Sequence, residues 1–179
     1  IDDVYHDIEL VGKATGKEAE AGELILSMKL KISQVEQKVS AQQTKVRVLY
    51  ICWLEPICTS GSNTFVNDAI AKAGGENVFA EKQGWIVVSP ESVVAKNPDV
   101  IVFTSMMEFS YEDAIAKIES MPGWSEVNAV KSGRVYVITG SAASMIERPG
   151  PRIADGVEML AKIFYPEVFG VEMPKHITG

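Results

Sequence analysis

Cys52 and Cys58, His6 and His176, and the carboxylates Glu55, Glu108 and Glu147 are the side chains here best suited to chemistry. The cysteines flank a predicted strand end and a loop. Their spacing suits either a small-loop disulfide, as in an oxidising compartment, or two buried free thiols. Without a neighbouring histidine they make no zinc site. His6 sits in a helical pattern beside Asp7 and Glu9, as a surface residue would, and His176 belongs to a short tail. Neither supports metal binding or a catalytic triad, and the glutamates are too scattered to assert a metal cluster. The loop 59–63 could hold an anion at a helix N-terminus or simply cap that helix. Glycine-rich phosphate and dinucleotide loops and the G-x-S-x-G nucleophile elbow are absent.

The bulk numbers narrow the field further. A chain of 179 residues fits one ordinary domain, or one domain with an appendage. Hydrophobic residues make up 46%, too many for a disordered chain. A net charge of −7 argues against nucleic acid or an anionic membrane surface as partner. No apolar run approaches the roughly 20 residues that span a bilayer. The acidic opening Ile1-Asp2-Asp3-Val4 is no signal peptide and reads as the middle of a longer protein.

The elements that must position any site follow from periodicity. Ile1, Val4, Ile8 and Val11 recur at helical spacing until a break at 12–16. Thr15 and Glu18 have capping-box spacing, and Ala21, Ile25, Met28, Ile32, Val35 and Val39 then step by four and three. The pattern predicts a helix to about residue 44, roughly 40 Å long, whose narrow stripe suits a helix lying across a globular surface better than a coiled-coil seam. Residues 46–53 (VRVLYICW) read as a strand, 54–62 as a loop, and a helix then runs to the Gly74-Gly75 stop. A short strand at 86–88 precedes Ser89-Pro90-Glu91, a helix start that ends at Asn97-Pro98 and feeds the apolar strand 100–104. Further elements are a helix at 111–120, a turn at 124–130, a strand at 135–139 and a helix from 149–152 to 164. Helices feeding wholly apolar strands predict an α/β fold: a doubly wound, mainly parallel sheet with helices on both faces. Ligands in such sheets bind outside the carboxyl ends of the strands. Those ends carry Trp53, the loop 59–63, Met106, Met107 and Phe109, and the segment 141–151 with Met145, Glu147 and Arg148. So much Trp and Met on one rim indicates either an apolar contact surface or loops folded onto their own core.

Several pieces in this order form a wider pattern: a long polar helix, VLYICW, a T-S-G loop, AGGENVF, Trp85 ahead of an S-x-E helix start, NPDVIVF, W-x-x-V-x-A-V-K-x-G-R-V-Y and G-P-R-I. Together they resemble the C-terminal lobe of the class III substrate-binding proteins of ABC importers, the cobalamin, siderophore and haem type. The resemblance implies a Rossmann-like lobe at 45–179, an inter-lobe helix at 15–44, and a remnant of an N-terminal lobe at 1–14. It implies an extracytoplasmic protein that is no enzyme and has no cofactor, its bound ligand being a cobalamin or ferric chelate caught between two lobes. ABC permease and ATPase subunits would be its partners. Glu91 matches a residue that docks on permease arginines, although a glutamate also favours any helix N-terminus. Trp85 matches a ligand-facing aromatic, although a core tryptophan would look the same. The rest of the cleft side would be Trp53, Thr59, Met106, Phe109 and Arg148, with Arg152 structural. A related two-lobed enzyme or metal-insertion protein is the alternative, and a helix-mediated dimer would follow if the apolar stripe at 21–39 lacked support.

Overall fold

Three runs of β-branched and apolar residues stack side by side because each must bury both faces. The computed structural model describes residues 1–107 and 110–179. Helices α1 (Asp2–Thr15) and α2 (Glu18–Val39) precede strands β1 (Arg47–Ile51), β2 (Trp53–Leu54) and β3 (Ile57–Ser60). Helix α3 (Phe65–Lys72), strands β4 (Glu76–Asn77) and β5 (Trp85–Val87), helix α4 (Pro90–Lys96) and strand β6 (Val100–Ser105) follow. Then come helix α5 (Tyr111–Ser120), a 3-10 turn (Trp124–Glu126), helix α6 (Asn128–Lys131) and strand β7 (Val135–Thr139). Helices α7 (Gly140–Glu147), α8 (Ile153–Phe164) and α9 (Pro166–Phe169) lead to strand β8 (His176–Ile177).

The main sheet has the order β4-β1-β6-β7-β8, and its pairs are parallel. Alternate residues of its central strands feed two cores. Val48, Tyr50, Val100, Val102, Tyr136 and Ile138 face a cluster with α2, α3, α7 and α8. Leu49, Ile51, Ile101, Phe103, Val135 and Val137 face a second cluster with α4, α5 and Trp124. The doubly wound α/β arrangement is therefore present, with helices on both faces. At the junction between α4 and β6, Ser89 accepts the Ser92 N–H at 3.3 Å and Pro90 occupies the first turn. Asn97 then closes the helix in a left-handed conformation, φ 44°.

Several boundaries and elements differ from the sequence reading. No capping box forms at Thr15, whose hydroxyl instead donates to the Val11 carbonyl at 2.8 Å. The long helix runs over Glu18–Val39 rather than 15–44, because Ser40-Ala-Gln-Gln-Thr44 offers no apolar step to pack. The strand expected at 46–53 breaks at Cys52, and β2 turns into β3 to build a separate antiparallel sheet, β2-β3-β5. The segment after β7 is helix α7 rather than a loop. His176 lies on an edge strand beside β7 rather than in a tail.

The stripe on α2 is covered within the chain. Ala21, Met28, Ile32, Val35 and Val39 are buried, with α1 over the N-terminal half and α8 beneath. This removes the unsupported stripe on which helix-mediated pairing was expected to rest. Close approach of α1 to α2 requires glycine at position 12, where a Cβ would stand 2.6 Å from the Ala21 Cβ. At Gly22, on the outer face of α2, an added Cβ would meet nothing within 4 Å. The two sites therefore predict opposite signs in thermal unfolding. Gly12→Leu should lower Tm by about 3–10 °C through overpacking, whereas Gly22→Ala should raise it by ~2 °C by relieving unfolded-chain entropy.

Candidate functional site

The carboxyl edge of the parallel sheet brings two exposed indoles and two exposed thioethers together. Trp53, Trp85, Met106 and Met107 are 54%, 47%, 51% and 64% exposed there. β5 holds Trp85, whose Ser60 partner in β3 fixes its position across the end of β1. Its ring lies 6.2 Å from Tyr50 and 6.1 Å from Phe65, tilted or edge-on to both, so Trp85 is a half-covered aromatic lid rather than a core residue.

Beneath that lid runs a polar strip. The Tyr50 hydroxyl and Thr104 Oγ1 are 2.7 Å apart, and both are buried. Burial raises the Tyr50 phenol well above its ordinary range, so it stays neutral. Glu147, at the end of α7, is partly buried, and burial raises its carboxyl above the ordinary 4.5 against the opposing pull of the Thr104 hydroxyl and Arg148. Arg148 Nε lies 3.4 Å from Met106 Sδ, which joins α7 to the end of β6. Trp85, Tyr50, Thr104, Glu147, Arg148 and Met106 thus form one continuous strip across three strand ends. Arg152 donates to the Ser144 hydroxyl at 2.5 Å, the structural part expected of it.

Trp53 stands on the other side of the rim. Its indole Nε1 donates to the Glu55 carbonyl at 2.8 Å, and with Met107, Ser105 and Phe103 it lines a groove of about 190 Å³. Lys117 of α5 closes the groove through an ion pair with Glu55 at 2.8 Å. Thr59 departs from the sequence expectation of a ligand contact. As the middle strand of its sheet, β3 is paired on both sides, and Thr59 is 0% exposed, with its hydroxyl unpartnered among the described residues. Phe109, the remaining expected contact, and Glu108 lie outside the described residues. The T-S-G loop has a steric origin: a Cβ on Gly61 would fall 2.3 Å from the Lys82 carbonyl oxygen, so only glycine admits the close pairing of the two loops.

Sequence reasoning missed Tyr50, Phe65 and Thr104. The available signal was a hydroxyl-bearing residue in each of two otherwise apolar strands, VLYI and VIVFT. Among the described residues no group of three or more His, Cys, Asp or Glu could hold a metal ion. His176 Nε2 is 3.1 Å from Thr139 Oγ1 and its ring stacks on Tyr111 at 6.4 Å, so it serves the edge of the sheet.

Glu91 is exposed on the first turn of α4. Its carboxylate is held below the ordinary value by its own backbone N–H and the Ser89 hydroxyl. Arg47, at the start of β1, donates to the Asn97 carbonyl at 3.2 Å, which places the C-terminal end of α4 at the amino edge of the sheet. Glu91, roughly two turns earlier, therefore lies toward the carboxyl edge. A second groove, about 460 Å³ and lined by Val4, Ile8, Val11, Leu24 and Pro149, opens between α1, α2 and the segment after α7.

Comparison with known proteins agrees with the fold. The family model described as periplasmic binding protein matches residues 1–142. An uncharacterized ABC transporter substrate-binding lipoprotein of Bacillus subtilis is 34% identical over 93% of this chain and 51% of its own length. A cobalamin-binding protein of Halobacterium salinarum is 27% identical over 92% of this chain and 44% of its own. The crystal structure of a possible iron-binding, periplasmic solute-binding protein of Staphylococcus epidermidis superposes with TM-score 0.80 and 32% identity, over 92% of this chain and 62% of that one. The chain belongs to the periplasmic binding protein family. It spans about half the length of the curated relatives it matches.

The raised Glu147 carboxyl fixes the sign of a pH effect. Its folded value lies above its unfolded one, so its contribution to stability is complete below the ordinary 4.5 and is lost as pH rises through the raised value. Glu147→Gln, which keeps the neutral shape, should raise Tm by about 2 °C at pH 8 and leave it unchanged at pH 4. Thermal scans at the two pH values measure the difference.

Proposed function

We propose that this chain supplies one lobe of the substrate-binding component of an ABC importer, working outside the cytoplasm. It would capture a metal chelate against a second lobe and deliver it to the permease and ATPase. The observation that carries this reading is the rim itself: two half-exposed indoles and two thioethers at the strand ends where α/β sheets bind ligands, with the paired Tyr50 and Thr104 hydroxyls and Arg148 on the Trp85 side. Exposed aromatic and thioether groups suit a large ligand with broad apolar faces and a polar fringe, which favours a corrinoid. A highly anionic ferric siderophore would call for several cations, and the strip contributes Arg148. The cobalamin-binding relative supports the same choice. In this reading Trp85 is the central contact, with Trp53, Met106 and Arg148 around it and Phe109 as a further candidate. The ligand is cargo rather than cofactor, and the protein catalyses nothing.

Glu91 is assigned to permease docking, supported by its exposure and charge on the side of α4 nearest the ligand rim. A related enzyme would need a histidine or paired carboxylates converging on the strip. Glu147 is the one carboxylate there among the described residues, and His176 is engaged with Thr139.

Calorimetry on the intact binding protein, with cyanocobalamin and a ferric hydroxamate in parallel, tests the assignment. The corrinoid should bind with sub-micromolar affinity, and Trp85→Ala should weaken it about 30-fold, the cost of losing a buried aromatic contact. The 179-residue chain alone should bind far more weakly, because a single lobe covers only part of the ligand. No binding of either chelate by the intact protein, or an unchanged affinity in Trp85→Ala, would sink this reading.

Docking is separable from capture. In reconstituted transport, Glu91→Ala should slow uptake by about tenfold, as loss of a charge-assisted contact of ~1.4 kcal/mol predicts, with ligand affinity unchanged. A matching loss of affinity would move Glu91 into the cleft.

A further inference from the structure

Cys52 and Cys58 meet where the first strand of the sheet breaks. The Cys52 N–H donates to the Cys58 carbonyl at 3.0 Å, and its Sγ lies 3.4 Å from the same oxygen. The ladder pairs Trp53 with Cys58, so Cys52 and Trp53 both stand opposite one residue, the arrangement of a β-bulge. A backbone hydrogen bond of that length keeps the two Cα atoms within about 7 Å, against the roughly 4.4–6.8 Å that a disulfide spans. Both cysteines are free and partly open to solvent.

We propose that Cys52 and Cys58 are a thiol–disulfide modification site, oxidised by small disulfide-bearing thiols to a staple across the β2–β3 hairpin. The Cys58 thiolate attacks one sulfur of the oxidant, expelling the first thiolate and leaving a mixed disulfide on Cys58. Cys52 loses its proton, attacks the Cys58 sulfur and expels the second. One oxidant disulfide is reduced to two thiols, which take up the two cysteine protons, while one protein disulfide forms. Burial and the neighbouring thiol push the Cys52 thiol well above its ordinary value, so its deprotonation governs the closing step. Closure therefore accelerates with rising pH. The staple would fix the strand that carries Trp53, making the rim stiffer in an oxidising compartment than in a reducing one. This inference is independent of which ligand the rim takes.

The test uses the full chain, reduced and then incubated with oxidised glutathione, denatured, alkylated with iodoacetamide and weighed. The expected product is the dithiol mass less two hydrogens, with no alkyl groups added. The variants Cys52→Ser and Cys58→Ser should each instead accumulate a single glutathione adduct, since no second thiol remains to resolve it. Three wild-type results would each overturn the proposal. These are two alkyl groups after oxidation, a lasting glutathione adduct, and a disulfide-linked dimer in place of the internal bond. The wild-type readout stands even where a serine variant fails to fold.

Discussion

Burial of β6 on both faces is the constraint from which the molecule is built. Val100, Ile101 and Val102 are fully buried and Phe103 nearly so, with alternate side chains in separate cores. A strand that is dry on both sides cannot leave its backbone groups to water, so it must be flanked, and β1 and β7 flank it in parallel. Parallel pairing brings the three carboxyl ends to one edge, and the connecting helices must return along the two faces. The edge that remains uncovered is the one that carries the rim. Position and chemistry of the site are thus consequences of how the middle strand is hidden.

The rim joins two kinds of surface that ordinarily exclude each other. Its outer layer is apolar and open, which costs solvation in the free protein; its inner layer is polar and closed. Tyr50 and Thr104 satisfy one another, so the strip beneath Trp85 carries hydroxyls without unpaired charge. Glu147 is the exception, a carboxyl kept partly from water beside Arg148. A ligand settling on this surface would release water from indole and thioether faces first, and would meet directional groups only beneath them. In the proposed reading, affinity and orientation would be supplied by different layers.

Much of this is legible in the sequence wherever a side-chain period or a punctuating residue is strong. The unit from Ser89 to Phe103 appears as its cap, proline and apolar run dictate, and α5 and β7 occupy the stretches their patterns mark. The buried stripe of α2 likewise follows its four-and-three spacing. The failures have a common cause, which is elements too short or too bland to carry a period. β2 and β3 are joined through Glu55-Pro56, and two residues of strand before a proline look like loop. Helix α7 is Gly-Ser-Ala-Ala-Ser at its start, small residues that pack closely against β6 and α8 but show no amphipathic alternation. Thr59 reads as a loop hydroxyl able to meet a ligand, and only the pairing of β3 on both sides puts it inside. Tyr50 reads as one more apolar strand residue, since its polar role depends on Thr104, 54 positions away.

The two outer strands of the main sheet have a bearing on how the chain behaves in a crowd. β4 and β8 pair with the sheet through only two residues each. Each therefore offers a free ladder of about 7 Å, too short a template to recruit another chain. Charged residues stand at both margins, Glu76 within β4 and Lys175 beside β8. The long, fully apolar strands that would otherwise seed fibrils are all held in the interior of the sheet. Brevity at the two margins thus denies the sheet to its neighbours.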